Sequence, residues 1–275
     1  MSEGVDRVYW TDSNTGSKIE YTDEHTTVAI GPSDRLATLR MPGGHDYNRP
    51  LPLVVGLHGY TSSGAMNSAY MHLYDSIHEN EHLLLEPDGK FNIIGMRYWN
   101  ATDACCNYFN DNVDDVGYLL DLIDEAVQNY GADPDGVIVT GISNGGFMSH
   151  RMACEAGSTI RAIVALNGVT WDDFSDCSDT GRPDILHVHS TLDTVIWYEG
   201  GSLAGNSYPS ANETVNYWAD RSGCNTYWTP LGSRDITGND GLLETDEFEF
   251  RHCTSGNLSL IHISEPTRLL SIAYC

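Results

Sequence analysis

Short apolar runs recur along the chain, separated by stretches of a different period. Leu51–Leu57 (LPLVVGL) is nearly all apolar and ends at His58-Gly59-Tyr60. Leu83–Leu85 follows, then Val137–Thr140 (VIVT), Ala162–Leu166 (AIVAL) and Asp184–His189 (DILHVH). Continuous rather than alternating hydrophobicity suits strands covered on both faces, as in a parallel sheet. Between the runs, Asp114–Tyr130 sets Val116, Leu119, Leu120, Ile123, Ala126 and Val127 on one face of a 3.6-residue period, and Asn144–Glu155 also reads as helix. Strands alternating with helices across short turns predict an α/β fold: an open, doubly wound, mostly parallel sheet flanked by helices. No internal repeat, low-complexity tract or long linker interrupts the pattern, so a single domain is expected over residues 1–257. Ligands on such sheets sit beyond the carboxyl ends of the strands, which directs attention to the residues just after each apolar run.

Gly141-Ile142-Ser143-Asn144-Gly145 is a G-x-S-x-G pentapeptide that directly follows VIVT and opens a helix. Alone the pattern is common. In this context it predicts a nucleophile elbow, a sharp strand-to-helix turn that needs small neighbours and lifts the serine hydroxyl out of the sheet at the positive end of the helix. A serine also needs a base and an electrostatic cradle. The cradle candidate is Leu57–Gly64 (LHGYTSSG), whose Tyr60 N–H would join the Asn144 N–H as oxyanion donors. His58, directly before a glycine at a strand end, reads as a brace for that loop rather than as the base. The chain order of this arrangement puts the acid on a later strand end. Asp193, in His189-Ser190-Thr191-Leu192-Asp193, fits, whereas Asp172, Asp173, Asp176 and Asp179 cluster in an irregular acidic loop and read as solvated.

Charge and cysteine content narrow the setting. Thirty-nine acidic against fourteen basic residues leave a net charge of −25. A surface of that sign repels phosphate backbones, so nucleic acid is not an expected partner. No run of about 18 apolar residues occurs, so no membrane-spanning helix is expected. The first residues show neither a basic nor an apolar leader region. Seven cysteines without CxxC spacing read as disulfides of an exported protein, secreted or periplasmic, rather than as metal ligands, and no metal or organic cofactor is implied. A redox role for the adjacent Cys105-Cys106 is the alternative. Asp235–Gly241 is only faintly like a calcium loop, because its carboxylates do not fall at the required positions. Tyr98, Trp99, Trp197, Tyr198, Trp218 and Trp228 could line an apolar pocket or sit in the core.

With these residues in place the sequence resembles the esterase family that contains poly(3-hydroxybutyrate) depolymerases and feruloyl or acetyl-xylan esterases. The matches are LHGYTSSG at 57–64, WNATDACC at 99–106, VDDVGYL at 113–119, GISNGGFM at 141–148 and LHVHSTLD at 186–193, in family order and covering roughly residues 28–257. The resemblance implies an α/β-hydrolase fold and hydrolysis of a polyester or plant cell-wall ester through an acyl-enzyme, with Ser143 as nucleophile and Asp193 as triad acid. It also implies that Cys224 pairs with Cys253. Cys105, Cys106, Cys154 and Cys177 would then form two bridges, in any of three connectivities.

One departure from the family is large. The family's last strand leads into a glycine-rich turn that ends in the catalytic histidine, and here no histidine follows His262. His262 lies in an apolar stretch and is a weak candidate for the base. Residues 258–268 (LSLIHISEPTR) resemble the conceptual translation of an adapter used to prepare sequencing libraries. We therefore expect 258–275 to be a non-native tail, with the last strand and the histidine loop truncated and the esterase impaired. The competing reading is a natural apolar strand, which the pattern permits. Two other functions fit less well: a non-catalytic hydrolase fold that binds an ester or glycan, and a serine peptidase on the same scaffold.

Overall fold

The computed structural model describes residues 8–11, 18–21, 25–177, 181–225, 227–235, 243, 245–254 and 259–264. The chain opens with four antiparallel strands, β1 (Val8–Thr11), β2 (Lys18–Tyr21), β3 (His25–Ile30) and β4 (Ala37–Pro42). After β5 (Leu51–Leu57) come two short helices, α1 (Gly64–Tyr70) and α2 (Leu73–Glu79), then β6 (Leu83–Glu86) and the small ribbon β7 (Lys90–Phe91) and β8 (Arg97–Tyr98). The alternation continues through α3 (Asp115–Tyr130), β9 (Ala132–Ile142), α4 (Asn144–Glu155), β10 (Ala162–Leu166) and β11 (Asp184–Ser190). A hairpin of β12 (Gly201–Leu203) and β13 (Asn206–Tyr208) precedes α5 (Ala211–Arg221), and β14 (Trp228–Arg234), β15 (Thr245–Phe250) and β16 (Ser259–Ser264) complete the described elements.

Twelve strands form one sheet in the order β1-β2-β3-β4-β6-β5-β9-β10-β11-β16-β15-β14. The six in the middle, β6 to β16 in that order, are parallel, and both margins are antiparallel. This is the expected doubly wound α/β sheet with an antiparallel meander added on each side. The chain leaves β5 toward β6 on one side and later returns on the other side as β9, so the strand order reverses between β5 and β9. That crevice is where such sheets place ligands.

Packing explains the central strands. Leu53, Val55 and Leu57 of β5, all of β6, and Val137 and Val139 of β9 are buried. Helix α3 is started by Asp114, whose side chain accepts the Gly117 N–H, and stopped by Gly131 at φ 69°, a left-handed position that suits glycine. Its buried stripe is Val116, Leu119, Leu122, Ile123 and Ala126, with Leu120 and Val127 only half-buried at its margin. Strands β10 and β11 depart from the two-sided burial expected of them. β10 and β11 alternate between buried and half-buried, and the buried face of β11 carries Ile185, His187 and His189.

A strand follows β15 where the competing reading put one. Ser259–Ser264 pairs in parallel with β11, from His187 opposite Ile261 to Ser190 opposite Ser264, and antiparallel with β15 over Thr245–Phe250. Residues 265–275, where a histidine loop would follow, lie outside the described residues.

Three disulfides are present: Cys105–Cys106, Cys154–Cys177 and Cys224–Cys253. The third is the pair that the family resemblance implied. The first two resolve the open connectivity, the adjacent cysteines pairing with each other. The segment 236–241 of the calcium-like loop lies outside the described residues, as does Asp179.

Candidate active site

Ser143 stands between β9 and α4 with φ 54° and ψ −119°, a backbone region that non-glycine residues rarely enter. The strain is held from both sides. The Ser143 N–H donates to the Leu166 carbonyl at 2.8 Å, and the Ser143 carbonyl accepts the Phe147 N–H at 3.0 Å. The flanking glycines are required by close backbone approach. A Cβ at Gly145 would collide with the Leu57 carbonyl, and one at Gly141 with the carbonyl of Gly145. The pentapeptide thus forms the sharp, strained strand-to-helix turn that its sequence predicts.

The two expected oxyanion donors lie beside it, at the crevice between β5 and β9, where Leu57 pairs with Gly141. Among the described residues neither the Tyr60 nor the Asn144 backbone N–H donates to a protein acceptor, while their neighbours do: Thr61 N–H to the Arg97 carbonyl at 2.8 Å and Ser62 N–H to Gly59 at 3.1 Å. The supports of the Tyr60 and Asn144 amides are buried. The Asn144 side chain grips the Trp99 backbone at two points, accepting its N–H at 2.8 Å and donating to its carbonyl at 3.0 Å. The Trp99 indole N–H donates to the His58 carbonyl at 3.0 Å. His58 accepts the Gly89 N–H on Nε2, so Nδ1 carries the proton and donates to the Gly59 carbonyl at 2.7 Å. Burial holds its pKa down to about 4, and with both ring nitrogens engaged it is a brace for the loop, as expected. The other motifs support the same region: Asp115 binds Arg35 at 2.6 Å and accepts the Asn100 N–H at 2.6 Å, and Asp88 holds both the Gly64 N–H and Arg97.

Asp193 follows β11 in a tight turn. One carboxylate oxygen, Oδ1, accepts the Val195 and Ile196 amides at 2.8 and 3.0 Å, and Oδ2 has no protein partner among the described residues. Only β10 separates its strand from that of Ser143, so the two strands run roughly 10 Å apart in the sheet. The half-buried, one-sidedly braced carboxylate can receive a further N–H donor. Asp172, Asp173 and Asp176 stay on the surface, with Asp173 capping a short 3-10 turn.

No described histidine is hydrogen-bonded to Ser143 or Asp193. His262 lies inside β16, opposite Val188 and Glu247, not on a loop beyond the strand. Three other histidines form a chain that the sequence did not disclose. The Trp218 indole donates to His150 Nδ1 at 3.0 Å, His150 Nε2 meets His187 Nδ1 at 3.3 Å, His187 Nε2 meets His189 Nδ1 at 3.4 Å, and His189 Nε2 meets the Ile196 carbonyl at 2.8 Å. The indole can only donate, which sets every tautomer in turn: each imidazole accepts on Nδ1 and donates from Nε2. Burial depresses all three, His150 to about 3. The chain ends on the turn that Asp193 organises. A signal for it existed in the alternation of His187 and His189 with Leu186 and Val188.

Ser143 opens into a cavity of about 710 Å³ walled by Tyr60, Tyr70, Tyr108, Met66, Leu203 and the Cys105–Cys106 disulfide. The aromatic wall differs from the one considered on sequence. Tyr98, Trp99 and Trp218 are core residues, Trp197 and Trp228 are exposed, and Tyr60 and Tyr108 meet edge to face, ring centroids 5.8 Å apart, at the cavity. The tyrosines were missed because nothing local marks them.

No family model matches the chain. Its sequence is similar to that of probable feruloyl esterase C of Aspergillus flavus, at 26% identity over 71% of this chain and 68% of that protein. It is also similar to feruloyl esterase C of Emericella nidulans, at 27% over 76% of this chain and 68% of the relative. Probable feruloyl esterase C of Aspergillus niger is 30% identical over 60% of this chain and 57% of its own length. Among solved structures, the acetyl xylan esterase from Aspergillus awamori superimposes with a TM-score of 0.63 at 16% identity, over 94% of this chain and 92% of that one. The fold is that of the α/β-hydrolases. A putative dipeptidyl aminopeptidase IV from Bacteroides ovatus shares it at a TM-score of 0.51 and 10% identity, so the fold alone does not select the bond cleaved.

Proposed function

We propose that the chain is a serine carboxylic-ester hydrolase acting on an aromatic ester of the plant cell wall. The observation that carries this is Ser143 in the strained elbow, beside two open amides and at the base of a large apolar cavity. The Ser143 hydroxyl attacks the ester carbonyl, the Tyr60 and Asn144 N–H groups take the oxyanion, and the alcohol leaves from a tetrahedral intermediate to give an acyl-enzyme. About 710 Å³ lies within the range of sites for drug-sized ligands and exceeds what an acetyl group needs, which favours a hydroxycinnamoyl acyl group, in keeping with the feruloyl esterases it resembles. The free Oδ2 of Asp193 orients a histidine in this scheme. Among the described residues no histidine is bonded to Ser143 or to Asp193, and on that ground we read this chain as an impaired esterase, whose oxyanion site would still leave roughly 10³–10⁴-fold catalysis over water. The three disulfides support an exported protein, and no described helix is long and apolar enough to cross a membrane.

The test is intact-mass detection of an acyl group after mixing with methyl ferulate or a chromogenic butyrate ester, alongside steady-state hydrolysis. Slow release of alcohol, with an acyl adduct that Ser143→Ala abolishes, is expected. Hydrolysis undiminished in Ser143→Ala overturns the reading. Ester binding without any adduct favours the second reading, a non-catalytic binding fold, which the lack of a described histidine at Ser143 supports.

A further inference from the structure

Away from the serine, three asparagines stand in the pattern Asn-x-Ser/Thr with no proline between: Asn100-Ala101-Thr102, Asn212-Glu213-Thr214 and Asn257-Leu258-Ser259. In an exported chain that triplet is the acceptor of an N-linked glycan. Asn257 lies outside the described residues, and the surroundings of the other two differ.

Thr214 needs an explanation that its fold does not supply. It is fully buried on α5, and its hydroxyl has no hydrogen-bond partner. A helical threonine commonly bonds back to the carbonyl one turn earlier. Here the Ser210 carbonyl accepts the Thr214 backbone N–H at 3.0 Å, and the hydroxyl is left without a bond. Valine has nearly the same shape and would fill the space without burying an unpaired polar group. The helix start does not use the hydroxyl either: Ser210 Oγ accepts the Glu213 N–H at 3.1 Å, and the Glu213 carboxylate accepts the Ser210 N–H at 2.8 Å. A hydroxyl that folding hides can serve a step that precedes folding. Glycan transfer to a nascent chain is such a step, because the triplet is read while still extended.

The two asparagines then divide. Asn100 is committed through its side-chain amide, donating from Nδ2 to the Val113 carbonyl at 2.8 Å and accepting Asn107 Nδ2 on Oδ1 at 3.2 Å. A sugar on that nitrogen would displace the segment that carries Trp99 and Asp115's partner. Thr102 also buries an unpaired hydroxyl, so the hydroxyl alone does not choose between the triplets. The amide nitrogen does. Asn212 is half-buried in the first turn of α5, its Oδ1 accepts the Tyr198 hydroxyl at 3.1 Å, and its Nδ2 has no protein partner among the described residues. A glycosylated amide keeps its carbonyl oxygen, so the bond to Tyr198 survives the modification.

We propose that Asn212 is a modification site that carries an N-linked oligosaccharide. The donor is a lipid-pyrophosphate-linked oligosaccharide: the bond from Nδ2 to the sugar C1 forms as the bond from C1 to the pyrophosphate oxygen breaks, and one amide proton is given up with the leaving pyrophosphate. The proposal is independent of the esterase reading, since Asn212 and Thr214 take no part in the chemistry at Ser143.

The test is to direct the full chain through the secretory pathway of a yeast and to map its glycopeptides, with intact mass read before and after a peptide N-glycosidase. Glycan at Asn212 and an unmodified Asn100 are expected. Asn212→Gln should lose the mass of one glycan. Thr214→Val is the sharper variant, because it leaves the asparagine in place: it should lose the same mass, while its deglycosylated form keeps or exceeds the Tm of the deglycosylated parent. Thr214→Ser, which keeps a hydroxyl, should retain the glycan. An unmodified Asn212 in the parent chain overturns the proposal, and so does a glycan that persists at Asn212 in Thr214→Val.

Discussion

Acidification from about pH 7.5 to about pH 5 should remove a large part of the folding free energy, and two imidazoles set the scale. His58 and His150 are fully buried, and burial holds them down to about 4 and about 3. In the unfolded chain each titrates near 6.5. A histidine whose folded pKa is depressed takes its proton only on unfolding, between the two values. Stability is therefore complete above about 6.5 and declines as pH falls toward the folded value. At about pH 5 the unfolded imidazole is almost wholly protonated and the folded one almost wholly neutral, a difference of about 2 kcal/mol per histidine and about 4 kcal/mol for the pair. His187 and His189 are depressed by the same burial and act in the same direction. For His58 the nearby Asp88 favours the proton, whereas Arg97 and Arg35 oppose it. Protonation of carboxylates, which relieves the repulsion of a chain at −25, sets in mainly below this window. Urea unfolding followed by tryptophan fluorescence at several pH values measures the slope, with the m-value checked for constancy. A folding free energy that stays level to within about 1 kcal/mol over the window would refute the assignment of these imidazoles as buried and neutral.

Three substitutions test the architecture around the serine. Gly145→Ala places a methyl group against the Leu57 carbonyl, a backbone atom that no rotamer change relieves, and should cost about 1–3 kcal/mol in urea unfolding together with serine labelling by a fluorophosphonate. Asn144→Ala leaves the N–H and carbonyl of Trp99 without partners in a buried site and should destabilise by about 2–4 kcal/mol, read as a fall in the urea midpoint. Asp193→Asn keeps an acceptor for the Val195 and Ile196 amides, so Tm should hold while any serine-dependent turnover falls.

The parts of this site that repeat a local chemical rule were readable in the sequence. Gly141 and Gly145 flank Ser143 because backbone contacts forbid side chains there, and such exclusions survive as a pattern. The turn at Asp193 was legible as well, as the first carboxylate beyond a strand, whose Oδ1 accepts the Val195 and Ile196 amides. What could not be read depends on partners distant in the chain. The tyrosine wall brings Tyr60, Tyr70 and Tyr108 from three segments, and the pairing of Cys105 with Cys106 follows only from where Cys177 lies against Cys154. The histidine chain needs α4, β11 and α5 packed together before its spacing means anything. Other features were present but unread: Ser210 and Glu213 form a reciprocal cap that marks the start of α5, and the meander β3–β4 carries clean alternating burial.

Residues 258–275 give the sharpest conflict between sequence and structure, and deleting them decides it. The sequence of the segment reads as foreign, yet 259–264 fills the place between β11 and β15. Within the described sheet the β14–β15 hairpin joins the parallel strands only through β16. Removing that strand turns β11 into an edge and leaves the hairpin tethered by Cys224–Cys253 and its own connection. Amides of His187–Ser190 and Thr245–Phe250 that pair with β16 should then lose hydrogen-exchange protection, while those of β5, β6 and β9 on the far side keep theirs. The expected result is a local loss of protection with an intact elbow, because the Ser143 turn is braced by Leu57 and Leu166 and makes no use of β16. Unchanged protection in β11 after the deletion would show that the strand does not dock in solution.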